Sequence, residues 1–121
     1  MNEYLVTFCF TVEAQAAADN VHEFTIPRQM TIVGISLCAE AFTGSPTGFS
    51  IDVVDDGSHV ISAVAANTAG TPGTWLSKHY GGSNDPVAIA ASSVVGVDVN
   101  FTGGTSPTAD YTLIIWALMG E

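Results

Sequence analysis

The sequence predicts an all-β protein, a jelly-roll sandwich of about eight antiparallel strands, on three observations. Apolar and polar residues alternate with period two in several stretches, short turns rich in Gly, Pro and Asp separate those stretches, and no amphipathic run is long enough for a helix that would cover a sheet. At 121 residues the chain is expected to form one domain over positions 1–121, with 1–12 as a first strand or N-terminal arm.

Tyr4, Val6, Phe8, Phe10 and Val12 alternate with Leu5, Thr7, Cys9 and Thr11, which sets the larger side chains on one face of a first strand. Glu13 to Asn20 is Ala-rich but too short for an unsupported helix, so a loop or single turn is expected. Val21 to Ile26 reads as a second strand stopped by Pro27, and Met30 to Ala41 as a third with Val33, Ile35, Leu37 and Ala39 on one side. Gly44, Pro46 and Gly48 make Phe42 to Gly48 a reversal. Phe49 to Asp55 and Ser58 to Ala65 flank Asp56-Gly57, a pair that tolerates the positive φ of a tight hairpin turn.

Asn67 to Gly73 is small and polar, Thr74 to His79 is a short strand containing Trp75, and Gly81 to Pro86 is a loop. Val95, Val97, Val99 and Phe101 then alternate with Gly96, Asp98 and Asn100, as in a half-buried strand. After a Gly/Pro/Thr-rich turn from Thr102 to Ala109, Tyr111 to Met119 is a closing strand whose unbroken apolarity predicts burial on both sides. A jelly roll is favoured over an immunoglobulin-like sandwich because no Cys and Trp framework is present.

Composition narrows the function. The chain is 47% hydrophobic and 12% charged, unlike a disordered tail or a coiled coil. Its net charge of −10 leaves no basic stripe to displace counterions, so nucleic acid is not an expected partner. The longest apolar run, Leu113 to Met119, is far short of the ~20 residues of a spanning helix, and Met1-Asn2-Glu3 does not open an export signal; no membrane partner is expected. Cys9 and Cys38 read as buried free thiols, with a disulfide between them left open.

Chemistry-bearing patterns are sparse. His22, His59 and His79 are far apart in sequence and form no pair at ligand spacing, so no metal centre and no cofactor are expected. Asp52, Asp55 and Asp56 do not match a calcium loop, and Asp56 already serves the turn. No nucleophile elbow or phosphate cradle occurs, so no catalytic residue is expected and the protein is read as not an enzyme. Trp75 and Tyr80 flank a polar loop, where they suit a sugar-stacking pair, a core anchor or an interface plug.

The greasy terminal strands point to assembly. Tyr4, Phe8 and Phe10 lie in the first, and Leu113, Ile115, Trp116 and Leu118 in the last; a sandwich this small does not readily bury both faces of a terminal strand. A homo-oligomer follows, with Tyr4, Phe8, Phe10, Trp75 and Trp116 as candidate interface residues.

One order of features adds a resemblance. Phe24-Thr25-Ile26-Pro27 leads into Met30 to Leu37, then the Ser50-Ile51-Asp52-Val53 hairpin, Val95-Gly96-Val97-Asp98-Val99, a Gly-rich turn and apolar Tyr111 to Met119. This resembles the small jelly-roll domains of tailed-bacteriophage virions, most of all head decoration (cement) proteins. Many such domains place Gly-Asp directly before the penultimate strand, whereas Val97 separates Gly96 from Asp98 here. The resemblance implies a homotrimer on the outer surface of the capsid, bridging major capsid protein subunits. The alternative it implies is a receptor- or glycan-binding domain of a tail or head fibre.

Overall fold

A computed structural model describes residues 3–66, 75–79 and 87–120, with side chains for all of these except 63, 65–66 and 75–79. Nine strands follow in order: β1 (Glu3–Ala16), β2 (Ala18–Thr25), β3 (Met30–Thr43), β4 (Gly48–Asp55), β5 (Ser58–Ala66), β6 (Trp75–His79), β7 (Val87–Ile89), β8 (Val94–Thr102) and β9 (Thr108–Gly120). They form two antiparallel sheets, one ordered β1-β9-β3-β6 with β7 also on β3, the other ordered β2-β8-β4-β5. Among the described residues no helix is long and apolar enough to cross a membrane.

The pairing explains the architecture. β4 pairs β5, β3 pairs β6, β2 pairs β8 and β1 pairs β9, as in one long hairpin of strand pairs bent about its tip and rolled so that successive pairs alternate between sheets. Further pairing of β9 with β3 and of β8 with β4 knits the pairs into sheets, which gives the jelly-roll connectivity. Short β7 pairs Met30 to Ile32 and β6 pairs Gly34 to Cys38, so these two strands share the place of one. The tip is the Asp56-Gly57 turn, with φ of 47° and 86° as a mirror-image turn requires. The Asp56 amide donates to the Val94 carbonyl and the Val94 amide to Asp56 Oδ1, both at 2.9 Å, which ties the tip to the start of β8.

Side chains from the inner faces of both sheets make the core. Ile35 and Leu37 of β3, Ile51 and Val53 of β4, Val97 of β8, and Leu113 and Ile115 of β9 are fully buried, each contributing about 1.5–3 kcal/mol of transfer free energy. Aromatic rings run through this core from one flank inward. Phe8 stacks on Phe24 and Phe10 on His22, each with centroids 4.6 Å apart. His22 meets Tyr111, and Tyr111 meets Phe49, whose ring touches Phe42 and Phe101.

His22 Nε2 lies 2.6 Å from the Tyr111 hydroxyl. Burial holds the His22 ring below its usual 6.5, and burial also pushes the Tyr111 phenol up to about 12. The unfolded chain therefore takes up a proton at His22 before the folded one does. Stability from this group is intact above 6.5, falls as the pH drops through the lowered folded-state value and levels off below it. His22→Asn, which tolerates the local φ of 56° and does not titrate, is expected to flatten the acid-side decline of melting temperature relative to the parent. An unchanged pH profile in the variant would refute this assignment.

Two loops clasp at one end of the sandwich. The Thr105 amide donates to the Gly44 carbonyl at 2.9 Å. A Cβ on Gly44 (φ +77°) would stand 2.4 Å from the Thr105 oxygen, and one on Gly104 (φ +80°) 2.5 Å from the Gly44 oxygen. Gly44→Ala is expected to cost about 1–3 kcal/mol in denaturant unfolding. Gly57→Ala, at φ +86° with nothing near its Cβ, should cost less, about 1 kcal/mol.

The segment Glu13 to Asn20 is strand on both sides of Ala17, not a loop. Backbone pairing of Gln15 and Ala16 with Ala109 and Thr108 continues β1 past a bulge, while exposure of most of these side chains removes the apolar alternation. Val33 does not share a face with Ile35 and Leu37, because a register shift between Ile32 and Gly34 changes the parity and puts Met30 and Ile32 in the core instead. β9 is not buried on both sides: Tyr111, Leu113, Ile115, Ala117 and Met119 are buried, but Thr112, Ile114, Trp116 and Leu118 are only half-covered. Cys9 is exposed and only Cys38 is buried. The loops expected at Asn67 to Gly73 and Gly81 to Pro86 lie outside the described residues.

Candidate assembly surface

The half-covered side of β9 joins one side of β1 in a continuous outer face. Residues opposite each other on antiparallel strands share a face, and the register pairs Leu5 with Leu118, Thr7 with Trp116, Cys9 with Ile114 and Thr11 with Thr112. Leu5 is 58% exposed. Trp116 stands opposite Gly34 of β3 and donates from Nε1 to Ser36 Oγ at 3.1 Å, which ties the indole toward β3. From Tyr4 to Val12 on β1 and from Tyr111 to Met119 on β9 there is no Asp, Glu, Lys or Arg. The acids stand at the ends, Glu3 at one and Glu13 and Asp110 at the other. The result is a charge-free strip roughly 30 Å long.

This face ends at an open sheet edge. Among the described residues β1 pairs only β9, and its register is regular from Glu3 to Val12, with no Pro or Lys to block a further strand. The neighbouring edge strand β2 is irregular, with register shifts on both sides of Val21 and positive φ at Asn20 and His22. Bulges of this kind deter pairing, so the two edges of the same flank differ in what they offer a second chain.

The sequence-predicted residues are divided by this geometry. Trp116 lies on the outer face, whereas Tyr4, 46% exposed, pairs buried Met119 and so lies on the other side of β1. Phe8 and Phe10 point the other way and pack on Phe24 and His22 at the rim of the core. Trp75 is opposite Cys38 by backbone register, and its side chain lies outside the described residues, as does Tyr80. Leu5, Ile114 and Leu118 belong to the outer face although the aromatic pattern did not single out Leu5 or Ile114; their signal was an apolar strand more continuous than one buried face requires.

Cys9 and Cys38 are both free and lie on opposite sides of β9, facing Ile114 and Thr112. Two strand spacings put their Cα atoms at least about 9.6 Å apart, beyond the ~7 Å reach of a disulfide. Burial, with the nearby Glu40 carboxylate, pushes the Cys38 thiol up, leaving it protonated and unreactive. Of the histidines, His22 is used in the aromatic core and the His79 side chain lies outside the described residues. His59 is brought beside Asp52 and Asp98, the one set of His, Cys, Asp and Glu among the described residues close enough to share a metal ion.

Comparison with known proteins gives fold likeness only. No protein-family model matches the chain, and no curated protein matches it. Among solved structures, a chain of the acidic stable capsid structure of Helicobacter pylori bacteriophage KHP30 is similar with a TM-score of 0.50 and 13% identity, over 98% of this chain and 89% of that one. A chain of the IBDV viral particle gives a TM-score of 0.36 and 18% identity, over 98% of this chain and 35% of that one. The first likeness places the jelly roll among folds found in a phage capsid; the second is too distant to bear on the question.

Proposed function

We propose that this chain is a virion structural protein, a decoration (cement) protein that binds the outside of a phage head as a homotrimer and bridges major capsid subunits. The observation that carries the reading is the charge-free outer face of β1 and β9, bordered by an open edge, on a fold shared with a chain of a phage capsid. Chains of net charge −10 repel one another, so association has to rest on apolar burial. Leu5, Ile114, Trp116 and Leu118 supply it where no charge intervenes. Three copies in one particle would turn three weak contacts with a shell into one tight attachment, provided the shell presents its sites at matching spacing. The work is clamping, with no turnover.

Light scattering tests the first half: a mass three times 12.5 kDa is expected, and a monomer would refute it. Sedimentation with expanded phage heads lacking the protein tests the second. Retention on heads and protection of them against heat are expected. Binding of the free protein to host cells or glycans, with none to heads, would instead favour a fibre domain. Attachment that weakens with salt would show that the acids meet basic patches on the shell.

A further inference from the structure

We propose that the outer face of the second sheet binds a divalent transition-metal ion of the zinc type through Asp52, His59 and Asp98. The site lies on the β2-β8-β4-β5 sheet and does not depend on the assembly reading.

Asp52 and Asp98 stand directly opposite each other on β4 and β8. Like charges in that position destabilise a sheet, yet Asp98 is only 6% exposed. The group set between them is the His59 imidazole of β5, with Nε2 2.8 Å from Asp98 Oδ2 and Nδ1 3.7 Å from Asp52 Oδ2. A neutral imidazole carries one N–H and satisfies one carboxylate, while its other nitrogen turns a lone pair toward the second. A divalent cation resolves this arrangement, since it accepts the lone pair and neutralises both carboxylates at once.

The surrounding bonds orient the donors. The Asn20 amide, freed from the β2 ladder by the bulge, donates to Asp98 Oδ1 at 2.9 Å, which leaves Oδ2 directed at His59. Asn100 Nδ2 donates to Asp52 Oδ2 at 3.1 Å. Such bonds fix the geometry of ligands and are a usual companion of protein metal sites. One donor atom from each of the three residues lies within 4.8 Å of the others, and a turn of the half-exposed His59 side chain would close the set onto bonds of about 2.0–2.2 Å. An imidazole nitrogen with two carboxylate oxygens favours zinc-type ions over calcium or magnesium, which prefer all-oxygen sets. Three protein ligands leave a fourth position for water or for a donor from a neighbouring molecule.

Metal-stripped protein is titrated with zinc, and separately with calcium, by calorimetry and thermal melting. One zinc per chain and a rise in melting temperature of about 5 °C at saturation are expected, with no response to calcium. His59→Gln removes only a half-exposed side chain and should keep the fold while weakening zinc binding at least about 10-fold. Asp52→Asn is expected to do the same. Absence of zinc binding, or equal binding by His59→Gln, would overturn the proposal.

Discussion

Leu5→Asp is expected to convert the assembled protein into folded monomers. Leu5 is 58% exposed in the protomer, so its removal takes little from the core, whereas in an assembly closed over the β1 and β9 face the new carboxylate would be stripped of water. A desolvated apolar contact of this kind is worth about 2 kcal/mol per copy, which is roughly a 30-fold loss of affinity at each contact. Trp116→Asp should act in the same direction and also weaken the protomer, since it removes the bond to Ser36. Light scattering at micromolar concentration, with circular dichroism to confirm the fold, reads both. An unchanged mass for Leu5→Asp would mean that copies meet elsewhere.

Phe49→Ala is expected to give the largest loss of stability of any single change described. Phe49 is 3% exposed and its ring lies 5.2 Å from Phe101, 5.6 Å from Phe42 and 5.6 Å from Tyr111, so it joins rings from β3, β4, β8 and β9. Truncation leaves a cavity at that junction and should cost about 3–5 kcal/mol. A domain of this size holds about 5–15 kcal/mol in total. The midpoint of urea unfolding should fall sharply with an unchanged slope. Phe8→Ala, at the half-buried rim, should cost clearly less; equal losses would show that the rings do not share one junction.

The regular strands and the hairpin at Asp56-Gly57 were legible because period two and the turn chemistry are local properties. The bulges in β1, β2 and β3 were not: a register shift is decided by the partner strand, and the sequence around Val33 carries no mark of it. The same division holds for function. That hairpin alone sets Val54 against His59, two residues from Asp52 along β4. Bringing Asp98 opposite Asp52 depends on the pairing of β4 with β8, which joins residues far apart in the chain, so the histidines looked solitary. The terminal strands carry more large apolar side chains than one face needs, but which of them turn inward is fixed by the packing of Phe8 and Phe10 on β2.

The rolled hairpin also sets an order of events. The β4–β5 tip closes over two residues and forms on the microsecond scale, whereas β1 meets β9 only when Glu3 finds Gly120, across almost the whole length described. Long loop closure makes that step late. Under the proposed assembly, a half-finished copy would have no joining face to show its sisters, and recruitment would wait on completed folding without any separate inspection.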